Sequence, residues 1–422
     1  MIGSLYTKVR NDTRSFRRLL PYRISTSLIR TRARLTWYRR RNATIVAVTG
    51  SSGKSTAVAL IGHILSAHAA TKIAPVDNVP RPVARAFASI TPDTRYAVFE
   101  TAIGGNEDMK HVARMLKPDV ALVTMVALEH RSTFKSVDRI IAEKSKLIKQ
   151  VRQGGTVVVN ADNEGAMKMV EDSPARRVTF GVGAGVDYRL LSVEQTAKPS
   201  LIVTMEFCGQ AETFELPLIG THIGPTLAGA IATAHTLGVP VETIRQQAAC
   251  FAGVRGRLEV FRTERGPTFV LDTIKAPYHS IISVIENFGK VPAKRRIVIV
   301  GNISDYAGNP KSKYRKAREA ALAAGDVAIF VGRTHRRCGA KPEEIAAGRF
   351  YGFDTVSEAD AFLKQNARDT DLILLKSARS VHLERLALSW RTGVLCWLEG
   401  CGVGISCRRC MNYLPIRGNE NE

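Results

Sequence analysis

The sequence is short of acid. It carries 38 Asp and Glu against 61 Lys and Arg, a net charge of +23 over 422 residues. It lacks an apolar run of ~18 residues, which argues against a membrane-spanning helix. Arg23 interrupts the one early apolar stretch, which argues against a secretory signal peptide. No low-complexity tract and no short-period repeat stands out. Hydrophobic residues make up 45% and charged residues 23%, which excludes global disorder and fits a folded chain. At ~150 residues per domain, the length suggests two or three domains. No base-specifying NKxD motif is present, which argues against a GTPase.

The basic excess is uneven. Residues 1–42 hold twelve Lys and Arg against one acid, Asp12. The cations alternate with Phe16, Leu19, Leu20, Tyr22, Leu28, Ile29, Leu35 and Trp37. Three readings of this N-terminal arm stay open. It is a solvated or loosely docked arm, a surface for anionic lipid or polymer (or for a membrane partner), or a transit peptide. Nucleic acid is not expected as a partner, because no nucleic-acid motif accompanies the charge.

From residue 43 the pattern is α/β. Thr44–Val48, Tyr96–Glu100, Val120–Met125 and Thr156–Val159 are short apolar strands separated by helical stretches, the first of them Thr56–Ala67. That alternation predicts a parallel sheet covered on both faces. Leu201–Glu206 and Glu212–Leu218 alternate and read as an antiparallel appendage, followed by a helix-rich stretch, 224–250. After Gly253 the pattern restarts, with strands at Thr268–Asp272, Arg296–Val300, Val327–Val331 and Asp371–Leu375. The expected fold is a phosphate-loop, parallel-sheet central domain over 43–254 and a smaller Rossmann-like α/β domain over 255–394. The arm (1–42) and a cysteine-rich tail (395–422) flank them. Cys208, Cys250 and Cys338 are scattered and read as buried thiols in a reducing, cytoplasmic compartment.

Thr49-Gly50-Ser51-Ser52-Gly53-Lys54-Ser55-Thr56 lies between a strand and a helix. Glycines let the backbone curl so that successive N–H groups face phosphate oxygens, and the helix start adds positive potential. Lys54 then neutralises phosphates, and the Ser55 hydroxyl ligates Mg²⁺. Val48 stands where the full motif has its first glycine. Glu100, closing the strand YAVFE, is placed for the same ion.

These residues and the spacing downstream resemble the Mur ligase family, ATP-dependent enzymes that join an amino acid or peptide to a carboxylate. Residues 49–56 match the family's TG-x-x-GK-[ST]-[ST] loop. Pro118 to Met125, with His130, resembles its "PD-x-ALVTN-x-x-x-x-H" segment. Lys144, in Ala142 to Lys146, falls where the family carries a carbamylated lysine. Gly155 to Asp162 resembles the strand whose asparagine, here Asn160, contacts adenine. Leu218 to His222 resembles "L-x-G-x-HN", and Gly256 to Glu259 the domain-opening GRLE. Val270 to Thr273 resembles the segment whose aspartate, here Asp272, meets the nucleotide. Leu374 to Glu384 resembles the late "LVKGSR-x-x-x-LE" of the branch that adds D-Ala-D-Ala. The matched stretch runs over roughly 44–390, with the motifs in order.

The resemblance implies an acid–amino-acid ligase of cell-wall or capsule synthesis, working through an acyl phosphate and releasing ADP and phosphate. Its cofactors are ATP and Mg²⁺, with Ser55, Glu100 and His130 holding metal. Carbamylated Lys144 supports that metal. Gly50, Ser51, Ser52, Gly53, Lys54, Ser55 and Thr56 hold phosphates, Asn160 and Asp272 the nucleoside, and Arg257 the phosphoryl group. The partners are a carboxylate acceptor and an amine. Four departures bear on specificity: Met125, Ile223, Lys275-Ala276-Pro277 and Gly301 to Asp305. Only 43 residues precede TIVAV, a layout closer to capsule poly-γ-glutamate synthetases. The expected acceptor is therefore something other than a UDP-muramyl peptide. The alternatives are a polymer synthetase and a non-catalytic ATP-binding regulator.

Cys396, Cys401, Cys407 and Cys410 do not belong to that pattern. Four thiolates can close a tetrahedral Zn²⁺ site, and a metal would supply much of so short a segment's folding energy. An iron–sulfur cluster, and free thiols or disulfides, are the other readings.

Overall fold

A computed structural model describes residues 42–74, 80–103, 108–127, 136–196, 199–207, 209–391, 394, 396–402 and 406–410. The basic arm up to residue 41 and His130 lie outside the described residues. The chain divides into two compact units, residues 1–127 with 137–179, and 128–136 with 180–422.

In the first unit, β1 (Thr44–Thr49) leads through a loop to α1 (Lys54–His68) and β2 (Thr71–Ala74). Then come α2 (Pro80–Ala88), β3 (Tyr96–Glu100), α3 (Asp108–Leu116), β4 (Val120–Val123), α4 (Val137–Ile148), β5 (Thr156–Asn160), α5 (Glu164–Val170) and β6 (Arg176–Gly181). The strands lie in the order β2-β3-β1-β4-β5-β6. β1 pairs in parallel with β3 and β4. Its Val46, Ala47 and Val48 are fully buried, as apolar residues of a strand covered on both faces should be. Asp119 fixes the start of β4 against β1. Its carboxylate accepts from the Ile45 amide at 2.7 Å and from Arg152 at 3.0 Å. α5 is capped by Asn163, which accepts from the Ala166 amide.

The second unit opens on the last residues of β6, paired with β7 (Tyr188–Gln195). β8 (Leu201–Phe207) and β9 (Gln210–Leu216) continue as an antiparallel meander. Alternate β8 residues are buried, and α6 (Gly224–Thr236) packs over the meander. Gly229 of α6 leaves room for the Phe180 ring, where a Cβ would sit 2.7 Å from Cζ. α7 (Val241–Ala249) follows.

The rest of this unit is a second sheet, β10 (Glu259–Arg262), β11 (Thr268–Asp272), α8 (Tyr278–Gly289), β12 (Arg295–Val300), α9 (Pro310–Ala324), β13 (Val327–Val331), α10 (Pro342–Ala346), β14 (Phe350–Phe353), α11 (Val356–Asn366), β15 (Asp371–Lys376) and α12 (Glu384–Leu388). Its order is β10-β11-β15-β12-β13-β14, all parallel except β10. Alternate residues of one strand serve opposite cores. Val270 packs with α8 and α9, while Phe269 and Leu271 pack with α11 and α12. Inserting β15 between β11 and β12 creates a switch point, where an open parallel sheet leaves a crevice beyond its strand ends.

The α/β class and both sheets agree with the sequence. The pattern missed β2, β6, β7, β10 and β14. The helix read as Thr56–Ala67 runs from Lys54 to His68, and the strand read to Met125 ends at Val123. Thr124 still donates its amide to Thr49 O, and its hydroxyl reaches the phosphate loop. Cys338 is buried as expected, its thiol pushed up to about 12 by burial, but Cys250 is exposed. It is the C-cap residue that ends α7. Cys208 lies outside the described residues. No described helix is long and apolar enough to cross a membrane.

Asp119→Ala strips a buried backbone amide of its acceptor and breaks the Arg152 pair. The expected loss is about 1–3 kcal/mol, read from the denaturant midpoint with an unchanged slope.

Candidate active site

The phosphate loop is set by contacts from the exit of β4. The Ser51 amide donates to the Met125 carbonyl at 2.7 Å. The Ser51 hydroxyl donates to Ala127 O at 2.9 Å and accepts from the Ala127 amide at 3.0 Å. The Thr124 hydroxyl donates to Ser52 O at 2.7 Å. Gly50 has φ 141° and Gly53 φ 80°, conformations that favour glycine. A Cβ on Gly50 would overlap the Thr124 hydroxyl and sit 2.9 Å from Met125 O. α1 then starts with no side-chain cap and no acid in its first turn, leaving its amides to an outside anion.

Two ammonium groups converge on this loop. Lys54 Nζ and Lys144 Nζ each donate to the Gly50 carbonyl at 2.7 Å. Lys144, from α4, is fully buried. Beside it Glu143 accepts from Lys146 through Oε2 at 2.6 Å, while its buried Oε1 has no hydrogen-bond partner. The Ser55 hydroxyl donates to Glu100 Oε2 at 2.7 Å, both residues buried. This joins the start of α1 to the end of β3. Two hard oxygen donors at a phosphate loop suit Mg²⁺. Asn160 closes β5, its Oδ1 accepting from the Asp162 amide at 3.0 Å. Asn163 was not singled out by the sequence. It accepts from the Val126 amide at 2.9 Å and so ties the β4 exit to α5. Its signal was the N-cap position before Glu164.

The second unit gathers another set. Register places Asp272, Lys376 and Val300 in one row at the strand ends. Asp272 Oδ2 accepts from Lys376 Nζ at 2.6 Å, both side chains buried, and Lys376 also donates to Lys275 O at 2.8 Å. Lys376 lay inside a quoted motif, but its partner was not visible. Gly256 (φ 70°) donates its amide to Glu259 Oε2 at 2.7 Å, and its carbonyl accepts from Thr273. The next residue, Arg257, carries a buried Nε with no hydrogen-bond partner. His222 lies in a short 3₁₀ turn, its buried Nδ1 unpartnered. Burial holds its pKa below the usual 6.5, Asp272 opposing and Lys376 reinforcing.

The departures from the family motifs have structural counterparts. Met125 contributes its backbone carbonyl, so the side chain there is not what holds the loop. Ala276 O accepts from the Ser304 amide at 2.8 Å, and Ser304 O from the Tyr278 amide at 2.9 Å. The two altered segments are thus bridged to each other beyond β11 and β12.

The tail departs from expectation. Among the described residues, the side chains close enough to share an ion are His382, Glu384 and Cys407, not the four sulfurs. Cys396 gives its carbonyl to Arg385, Cys401 faces the His382 ring, and Cys410 packs against apolar core. The tail is docked rather than independent. Glu399 accepts from the Val356 amide at the start of α11, and Arg408 pairs with Glu259 at 2.7 Å.

Residues 48–234 match the Mur ligase middle domain, and residues 256–379 the Mur ligase glutamate ligase domain. A UDP-N-acetylmuramate–L-alanine ligase of Streptomyces avermitilis is 29% identical over 276 residues, 63% of this chain and 59% of that protein. The chain thus spans less than two thirds of that relative's length. The UDP-N-acetylmuramoyl-tripeptide–D-alanyl-D-alanine ligase of Escherichia coli is 23% identical over 369 residues, 85% of this chain and 80% of its own length. Among solved structures, MurF from Acinetobacter baumannii superposes with TM-score 0.77 at 22% identity, covering 86% of this chain and 80% of its own.

Two tests follow from the second unit. Lys376→Met leaves Asp272 buried and unpaired, at a cost of about 3–5 kcal/mol in denaturant melts, whereas Asp272→Asn combined with Lys376→Met recovers most of it. The unfolded His222 accepts a proton before the folded one does. Folding stability therefore declines as pH falls through 6.5, and His222→Gln flattens that decline in melts across the range.

Proposed function

The chain belongs to the Mur ligase family, and on that premise we propose that it is an ATP-dependent acid–amino-acid ligase that forms an amide through an acyl phosphate. The observation that carries this reading is the convergence of Lys54 and Lys144 on the Gly50 carbonyl, beside uncapped helix amides and the Ser55–Glu100 pair. That arrangement fits the phosphates of ATP. The acceptor carboxylate attacks the γ-phosphorus and ADP leaves. The amine then attacks the acyl carbon, and phosphate leaves. Charge builds on the transferring phosphoryl group, so cations held in place do most of the work. Lys54 supplies one of them. Ser55 and Glu100 would hold Mg²⁺, which supplies further neutralisation of the phosphates. His130 keeps its proposed metal role by resemblance alone.

Lys144 is assigned by the family pattern as the carbamylated lysine. Carbamylation turns one of two converging cations into an anion, which suits a buried position beside Lys54 and a metal site. Asn160 and Asp272 are assigned to the nucleoside, and Arg257, with its unpartnered Nε, to the phosphoryl group. The domain limits 43–254 and 255–394 remain our reading, supported by the two matched ranges.

The expected exclusion of a UDP-muramyl acceptor rested on how little chain precedes β1. The curated relatives above are named for UDP-muramyl acceptors, and the proposal follows them. The acceptor is the terminal carboxylate of a nucleotide-sugar-linked muramyl acceptor, met in the cytoplasm. The altered segments 275–277 and 301–305 support an amine other than D-Ala-D-Ala. The zinc expected in four tail cysteines is not part of this function.

The test is ADP formation with Mg-ATP, bicarbonate, UDP-muramyl peptides and pooled amino acids or dipeptides. Turnover should need acceptor and amine together, with a product mass equal to their sum less water. Lys54→Ala should lower it about 10²–10³-fold. Tight ATP binding without stimulated turnover would leave a binding protein instead.

A further inference from the structure

We propose that His382, Glu384 and Cys407 form a binding site for a divalent transition-metal ion of the zinc type, separate from the nucleotide site and fastening the tail to the β15 exit. One ligand atom from each lies within 4.8 Å of the other two, and all three residues are buried. Imidazole, carboxylate and thiolate together suit a borderline ion such as Zn²⁺ and disfavour Mg²⁺ or Ca²⁺.

Two features point to a ligand there. Glu384 Oε1 accepts from the Cys407 amide at 3.1 Å, but the buried Oε2 has no hydrogen-bond partner. A carboxylate oxygen left bare in a protein interior is costly, and a cation removes the cost. His382 presents Nδ1 to Glu384 Oε1 at 3.4 Å and Nε2 to Cys401 Sγ at 3.3 Å. The ring thus lies between a carboxylate and a thiol, and either ring nitrogen can be the bare one that a metal takes. With an ion on Nδ1, Cys401 would be the outer partner of the ring's other nitrogen, as metal-bound histidines usually have.

The scaffold is stiff. His382 is held in the left-handed region at φ 55°. The buried Arg385 donates to His382 O at 3.2 Å, Cys396 O at 3.0 Å, Leu398 O at 3.2 Å and Val381 O at 3.2 Å. That guanidinium binds both sides of the junction, so two of the three ligands and the tail meet without the ion. Binding displaces one proton, from the Cys407 thiol, as the sulfur–metal bond forms. Glu384 binds as the carboxylate and His382 through a bare ring nitrogen.

The experiment is titration of Co²⁺, then Zn²⁺, into the reduced, chelator-treated full-length chain. We expect one Co²⁺ per chain, visible d–d bands and a near-ultraviolet thiolate charge-transfer band, all displaced by Zn²⁺. Cys407→Ser removes the charge-transfer band. Glu384→Gln, which keeps the shape, weakens binding at least about a hundredfold. Cys396→Ser and Cys410→Ser leave the spectrum unchanged. Zn²⁺ at a hundredfold excess over Kd raises Tm by about 5 °C in the unsubstituted chain, a readout independent of any variant's folding. Absence of stoichiometric binding overturns the proposal. So does a spectrum lost in Cys396→Ser and Cys410→Ser but kept in Glu384→Gln, which would mean a four-sulfur site.

Discussion

The Gly50 carbonyl is the point on which the nucleotide half of this protein turns. It faces inward because Gly50 adopts a backbone angle that a side chain would resist, in a space the Thr124 hydroxyl already fills. It then receives two ammonium groups, one from the helix that follows and one from α4, 94 residues away. Lys54 supplies a fixed cation there and the uncapped amides of α1 add positive potential, so the place favours anions. The surrounding contacts serve that end. Ser51 and Thr124 fix the curl, Asp119 aligns β4 with β1, and Asn163 holds the β4 exit from the other side.

The second unit solves a related problem by a different route. Its sheet is covered on both faces, so functional groups gather beyond the strand ends. Asp272 and Lys376 meet there because β11 and β15 are register neighbours. Each is tolerable in the interior because the other is present. The chain leaving Lys376 runs through Ser377, which donates its amide to Asp272 O, and on to His382, Glu384 and Arg385. One short segment therefore carries both the strand-end ion pair and the anchor for the tail.

Contiguous features were legible in the sequence. Residues 49–56 declare a phosphate loop because glycines, lysine and hydroxyls must follow one another there. The buried strands declare themselves by runs of β-branched residues. Contacts between distant residues were not legible from the residues alone. Lys144 could be placed only through the family pattern, and the Asp272–Lys376 pair spans 104 residues. β10 and β14 have four residues each, too few for a period to show. The cysteine spacing misled because a Cys-rich tail invites a four-sulfur reading. What places those sulfurs is Arg385, which draws the chain across His382 and Glu384 instead.

The central claim is an acyl phosphate made at the acceptor carboxylate, and ¹⁸O tests it most directly. An acceptor labelled with ¹⁸O in both carboxylate oxygens is turned over with ATP and the amine, and the released phosphate is weighed by mass spectrometry. The account predicts one ¹⁸O in each phosphate and one retained in the amide. Unlabelled phosphate, or AMP in place of ADP, would contradict it.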